Sequence, residues 1–520
     1  MPRLLGLFFA LVVTVLPLQA AKPKLLPERI ATVLSAPEVS HGFWGIEIIS
    51  IKTGKTLFAQ NADKLFLPAS NTKLFTTAAG FALLGPDFRF HTTVETATPP
   101  DKYGRLSGDL ILVGRGDPNL SGRILPYVYT PSTEPPANST RLLEELADAV
   151  VQKGVKVIDG DIVGDDTYFA FERYSEGWGQ DDLMWSDGAP ASALTISDNV
   201  VSCRIWPGEH TGDRAFLSFE PFTDYYHIDN RLLTAPAATG PRHLVMNREP
   251  GGETLSIWGS IPLDDPGVTE ALAIDDPALF AARLFRDLLR KRGVLIYGNA
   301  RAHHTEVASL TTFTAHAVAS SGGGASSLGS ATLAAHDSLP LSEDLRVINK
   351  VSQNLHAELL LRSIGHEKGS GGSLQSGQEA VRRFVIEAGV PEDQFVLLDG
   401  SGMSRQNLVS PHAVARLLQY AASQPWGSQF RETLPVAGVN GSLADRFKVS
   451  PAKGRVQAKT GSLSHVRALS GFATTDSGDE VVFSILTDSQ NAPGKVISET
   501  IDRLVEAILA DVPDSKKKRK

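Results

Sequence analysis

The chain holds a single cysteine, Cys203, so no disulfide within it can brace the fold and the apolar core must do that unaided. Cys203 stands in VVSCRIW, a strand-like run, and reads as a small buried apolar residue, not a nucleophile. Positive charge is not in excess. The formal net charge is -8, which argues against nucleic acid as the main partner. No repeat is evident, and past the N-terminus no segment has the roughly 20 apolar residues needed to span a bilayer. His303-His304, and His356 with His366, lack companions at metal-ligand spacing, so neither metal nor cofactor is expected. There is no G-x-S-x-G elbow either, because the glycines of Ser401 are adjacent to it, not two away.

What is present begins with MPRLLGLFFALVVTVLPLQAAKPK. Arg3, an apolar stretch from Leu4 to Leu16 and the small-residue exit Gln19-Ala20-Ala21 read as a secretory signal peptide over residues 1–21, with a membrane anchor as the alternative. A periplasmic or other extracytoplasmic location in a bacterium is therefore expected. The basic tail, 515–520, reads as solvated, the alternative being attraction to an anionic membrane or wall polymer.

A length of 520 residues implies two or three domains. Strands near residue 50 and strands near 460 to 487 flank helical segments and predict one discontinuous domain, formed by 22–86 and 301–514. Between them, 87–300 is rich in short alternating runs broken by Gly, Pro and Asp, which predicts an inserted β-rich region. ASSGGGASSLGSA, from Ala319 to Ala331, reads as a flexible added loop.

PASNTKLFTTAAGFALLGP, from Pro68 to Pro86, reads as a buried helix stopped at Gly85-Pro86. Its first turn carries Ser70 and Lys73, three apart and therefore on one face. A serine hydroxyl becomes a useful nucleophile when a base takes its proton, and a lysine serves if burial and a nearby cation keep it neutral. The pattern S-x-x-K with S-x-N and K-T-G is known for this chemistry. Several segments spell its pieces. Ser450 to Lys453, Ser515 to Lys518, Lys52-Thr53-Gly54, Ser197-Asp198-Asn199 and Ser489-Gln490-Asn491 all read as loops, tails or turns. Ser352-Gln353-Asn354 lies among helices, and Lys459-Thr460-Gly461 ends the strand RVQA, with Gly461 leaving room for a ligand backbone. Ser70, Lys73, Ser352, Asn354 and Lys459 are thus the expected catalytic set.

PASNTK, SQN and KTGS resemble the penicillin-recognising serine hydrolases. LLDGSGMSRQNLVSP, LPVAGVNGSLADRF, VGRGDPNLS and GDDTYF resemble more narrowly the class C low-molecular-mass penicillin-binding proteins, over nearly all of the chain past the signal. The resemblance implies an α/β fold. A β-lactamase/transpeptidase-like domain, an antiparallel sheet flanked by helices plus a helical subdomain, would carry two β-rich domains inserted between Ser70 and Ser352. It implies a serine D-alanyl-D-alanine carboxypeptidase and endopeptidase acting on peptidoglycan stem peptides, with β-lactams as covalent inhibitors. Ser352 would relay a proton, Asn354 would hold Lys73 and the substrate amide, and Lys459 would supply the cation. Thr460, Gly461 and Ser462 would receive the substrate carboxylate, with the backbone N–H groups of Ser70 and Ser462 as oxyanion hole. Asp182 and Arg405 match positions that contact a diaminopimelate-type side chain, although Asp181 leaves the register of the acid open. Gln353 stands where the family usually has Asp, and little effect is expected from it. A β-lactamase and a non-catalytic wall-binding protein are the alternatives.

Overall fold

The computed structural model describes residues 25–129, 138–305 and 331–510. The proposed signal segment and basic tail lie outside these residues, as does nearly all of the Gly/Ser loop.

A five-stranded antiparallel sheet joins the two ends of the chain. Its order is Val456–Leu463, Val466–Thr474, Glu480–Asp488, Phe43–Ser50 and Thr56–Gln60. Alternation of side chains across the pleat gives this sheet two apolar faces. Ile46, Ile48, Phe483 and Ile485 pack on one face against the helices Leu26–Leu34 and Gly494–Leu509. Ile49, Phe472, Val482 and Leu486 pack on the other against Leu74, Phe75 and Ala78. Register follows from these pairs, with Ile46 opposite Ile485 and Ile48 opposite Phe483. A slip by one residue would exchange the two faces.

The helix Thr72–Ala79 is buried on all sides, as its composition predicts, and continues through one wider turn, Gly80–Leu84, before Gly85. Burying Phe75 or Leu74 completely contributes about 1.5–3 kcal/mol each. The helices Asn354–Lys368, Leu374–Glu387 and Pro411–Ser423 complete this layer around it.

The stretch between is β-rich and has a core of its own, organised by the helices Arg141–Gln152 and Pro277–Lys291. Its largest sheet has the order Ala300–Thr305, Ile162–Ala170, Leu110–Val113, His91–Thr96 and Ala331–Asp337. The boundary expected at residue 300 therefore falls inside this sheet, which runs on to Asp337. The reason is pairing at a distance: Ala331–Asp337 lies antiparallel to His91–Thr96, across a Gly/Ser run that resembles a linker in sequence. Cys203 is fully buried in the strand Val200–Trp206, and burial, with Glu270 adding to it, pushes its thiol up to about 12. No helix among the described residues is long and apolar enough to cross a membrane.

Candidate active site

Ser70 occupies a tight turn, Ala69–Asn71, at the entrance of the buried helix. The Lys73 ammonium, itself fully buried, donates to Ser70 Oγ at 2.9 Å, Asn354 Oδ1 at 2.6 Å and the Ser401 carbonyl at 2.7 Å. Three acceptors offset part of the cost of burying an amine. Burial pulls Lys73 down to about 8, and Asp399, Glu358 and Asp187 oppose that fall.

Lys459 forms a second pair beside the first. Its amine donates to Ser352 Oγ at 2.8 Å and to the Thr460 carbonyl at 2.9 Å. Burial lowers it well below the ordinary lysine value, and charge on Lys73 lowers it further. The influence expected from the sequence runs the other way, from Lys459 onto Lys73. Position explains the difference: Lys73 sits near three carboxylates, so charge on it is the better supported.

Ser352 has a left-handed backbone, φ +67°, where a wide helical turn breaks before Asn354–Lys368. That break turns Ser352 and Asn354 to the same cleft. Gly461 lies on the edge strand of the main sheet. A Cβ there would come within 2.7 Å of the Pro68 carbonyl and 3.2 Å of Ala69 Cβ. Gly461 therefore makes room for the turn that carries Ser70, a protein backbone and not only a ligand's. Gly402 is tighter still, since a Cβ would meet the Ala69 carbonyl at 1.9 Å.

The cleft has a volume of about 430 Å³. Ser70, Ser352 and Asn354 line it together with Thr460, Gly461 and Ser462 on the strand edge. Asp182, Asp187 and Arg405 line it as well. Of the two neighbouring acids, Asp182 and not Asp181 lines this cleft. Asp181 lines a neighbouring one with Gln180, Trp185 and Arg248. The Asp182 carboxyl is raised by burial and by Asp181, and Arg405 opposes that rise. Gln353 does not line the cleft. Asn354 Nδ2 donates to the Asp187 carbonyl at 3.0 Å, so the amide expected to meet substrate is held by the inserted region.

Sequence reasoning missed the acids beneath Lys73. Glu358 accepts from the N–H groups of Gly400 and Ser401, both at 2.9 Å, and pairs with Arg362 one turn on. Asp399 accepts from Gly402 N–H at 2.8 Å, Ser404 N–H at 2.6 Å and Trp178 Nε1 at 3.0 Å. Burial and the adjacent Glu358 raise its carboxyl. Together they shape the turn that aims the Ser401 carbonyl at Lys73. One signal was available: an acid among turn formers, Asp399-Gly-Ser-Gly, within a segment already singled out. Ser442 was also missed, and its hydroxyl lies 2.7 Å from Thr460 Oγ1.

This constellation on this sheet defines a class, the serine hydrolases with paired lysines. Residues 26–508 match the family described as D-Ala-D-Ala carboxypeptidase 3 (S13), and the chain belongs to that family. It is thus by class a serine-type D-alanyl-D-alanine carboxypeptidase with the architecture of a low-molecular-mass penicillin-binding protein. The D-alanyl-D-alanine carboxypeptidase of Actinomadura sp. (strain R39) is 34% identical over 479 residues, covering 90% of this chain and 82% of that protein. The carboxypeptidase DacB of Haemophilus influenzae is 26% identical over 437 residues, covering 84% and 83%. The crystal structure of penicillin binding protein 4 (dacB) from Haemophilus influenzae superposes with a TM-score of 0.76 at 23% identity. That match covers 94% of this chain and 99% of the other. A second structure of that protein is complexed with a β-lactam.

Proposed function

We propose that the chain releases the terminal D-alanine from peptidoglycan stem peptides through an acyl-enzyme on Ser70. The observation that carries this reading is the pair of serine–lysine contacts on one cleft, Lys73 with Ser70 and Lys459 with Ser352.

In the free site charge is favoured on Lys73, near Asp399, Glu358 and Asp187. A substrate's terminal carboxylate, set against Lys459, Thr460 and Ser462, favours an ammonium at Lys459. That charge in turn weakens the hold of Lys73 on its own proton. Arrival of substrate thereby shifts that proton from Lys73 to Lys459 and frees the base. Lys73 takes the Ser70 proton, and Oγ bonds to the carbonyl carbon of the penultimate D-alanine. The C–N bond then breaks, and the leaving amine takes, through Ser352, the proton that Lys73 had accepted, which leaves Lys73 neutral again. Backbone N–H groups of Ser70 and Ser462 hold the oxyanion. Water gives a proton to Lys73, splits the ester, and Ser70 recovers its hydrogen.

β-Lactams acylate Ser70 because they carry the same carboxylate and a reactive amide. Asp182 and Arg405 receive the amine and carboxylate of a diaminopimelate-type side chain. The same acyl-enzyme cleaves a cross-link when the leaving amine belongs to a neighbouring stem, which gives endopeptidase activity. The leader read at 1–21 carries the chain to the compartment that holds this substrate. Incubation with a fluorescent penicillin and with a pentapeptide tests the reading. Stable label and D-alanine release are expected, both lost in Ser70→Ala. Rapid turnover of the drug, or labelling that survives in Ser70→Ala, would overturn it.

A further inference from the structure

The turn Ser197-Asp198-Asn199 spells S-x-N but lies in the inserted region, before the strand Val200–Trp206. All three residues have left-handed backbones, with φ of +53°, +56° and +55°. Such a run in residues other than glycine persists only where its surroundings over-determine it. Here they do. Ser197 Oγ donates to the Ser139 carbonyl at 2.9 Å, and Asn199 Nδ2 donates to the Pro190 carbonyl at 2.9 Å. The Ser197 N–H donates to the Leu120 carbonyl at 3.1 Å, and the Ile274 N–H to the Asn199 carbonyl at 2.9 Å.

The side chain this turn presents is Asp198, and it reaches the true S-x-N. Gln353 Nε2 donates to Asp198 Oδ2 at 3.1 Å, while Gln353 Oε1 accepts from the Leu355 N–H at 2.8 Å and caps the helix Asn354–Lys368. His356 Nε2 lies 3.2 Å from Asp198 Oδ1. The other ring nitrogen, Nδ1, lies 2.6 Å from Asp344 Oδ1, on the helix Leu341–Arg346 that leads toward Ser352. Arg123 pairs with Asp198 from a further loop of the inserted region. Asn119 Nδ2 donates to Asp344 Oδ1 at 3.4 Å.

We propose that Asp198 and His356 are positioning residues, which tie the inserted region to Gln353 and hold Ser352 and Asn354 at the angle the reaction needs. Residues 344 and 356 stand on either side of the break at Ser352, and the imidazole between Asp344 and Asp198 clamps both sides of it. Asp198 clamps the middle. His356 is fully buried and does not line the cleft, and carboxylates meet both of its nitrogens. Burial pulls the imidazole down, and the two carboxylates overcome this and hold it at about 9. The ring is therefore a cation with both N–H groups donating. Burial likewise opposes the Asp198 carboxylate, and Arg123, His356 and Gln353 outweigh it, so Asp198 stays ionised well below the usual range. A glutamine at 353 follows from this: it caps the helix with its oxygen and donates to Asp198 with its nitrogen, whereas an aspartate would set a second carboxylate against the first. Gln353 therefore has a structural consequence that its position in the tripeptide did not suggest.

This proposal rests on the acyl-enzyme reading for its kinetic test, and hydrogen exchange tests it without that reading. Asp198→Asn keeps the shape of the turn. It should lower kcat for D-alanine release by about 10-fold, with KM within about 2-fold of the parent, because misplacement of reacting groups acts on the chemical step. Amides of 351–356 should exchange about 10-fold faster, with those of the main sheet unchanged. Gln353→Glu sets like charges together and should lower kcat further. Combining it with Asp198→Asn reverses donor and acceptor, and the double variant should be faster than Gln353→Glu alone. Penicillin titration of active sites corrects each kcat for protein that has not folded. Parental kcat with parental exchange in Asp198→Asn would overturn the proposal. So would a fall in kcat that only matches the fall in titratable sites, or a double variant no faster than Gln353→Glu alone. Should the parent itself not be acylated, the proposed function fails, and the exchange comparison still decides the clamp.

Discussion

Lys52-Thr53-Gly54 and Lys459-Thr460-Gly461 contain the same three residues in the same sheet. The first is the exposed turn between Phe43–Ser50 and Thr56–Gln60, with Gly54 at φ +67°. The second lies on the opposite edge strand, with Lys459 fully buried. Chemistry separates them through burial. At residue 52 an exposed ammonium keeps its water. At residue 459 the helical layer removes the water and supplies Ser352 as the neighbour. Ser197-Asp198-Asn199 and Ser352-Gln353-Asn354 differ in the same way. Ser352 and Asn354 keep their functional atoms in the cleft, whereas Ser197 and Asn199 spend theirs holding a strained turn.

Substitution at the paired tripeptides should break this symmetry most sharply. Lys459→Ala should lower the rate of penicillin acylation about 10²–10³-fold, as expected for losing a preorganised electrostatic contact. Lys52→Ala should leave that rate at the parental value, and an equal loss in both would refute the distinction. Ser352→Ala should cost about 10²-fold in kcat through the lost proton relay. Asn71 Nδ2 donates to the Lys459 carbonyl at 3.0 Å, so Asn71→Ala should lower acylation by a smaller factor, about 10-fold, by loosening the strand from the nucleophile turn.

pH sharpens the comparison next. The base must be neutral, so acylation should rise with pH and level off above about 8, the value to which burial brings Lys73. In Lys459→Ala the midpoint measured on the free enzyme should stay near that value, because the free site carries its charge on Lys73 and burial, not Lys459, brings Lys73 down. A profile flat from pH 6 to pH 9 would rule out Lys73 as the base. The smallest effect belongs to the second S-x-N. Ser197→Ala should lower unfolding free energy by about 1 kcal/mol, the worth of one hydroxyl contact, as measured by denaturant titration.

Much of the site was legible in residue order. Ser70 and Lys73 are three apart on a helix whose apolar composition fits complete burial, and local geometry alone puts them on one face. The two-ended sheet was also visible, because strand-like runs near residue 50 and near 460–487 stand at the two ends of the chain. Asp182 could be narrowed only to one of two neighbours, since a short helical turn sends adjacent side chains to different clefts. The end of the inserted region was misplaced, because Ala331–Asp337 is assigned by its hydrogen bonds to His91–Thr96. Glu358 carries no local pattern that distinguishes it from a surface acid, and the turn formers around Asp399 mark a bend without showing that Lys73 lies above it.

Helix periodicity and turn chemistry act over a few residues, so they could be read from the order of amino acids: Ser70 and Lys73 on one helix face, the stop at Gly85, the edge glycine at 461. Contacts between distant residues depend on sheet register and on which faces pack together. Folding therefore chose which of two K-T-G triplets loses its water, gave Lys73 its acidic surroundings, and set Asp198 of the inserted region against Gln353. Those outcomes follow from desolvation and Coulomb energy, both set by distances that exist once the layers have closed.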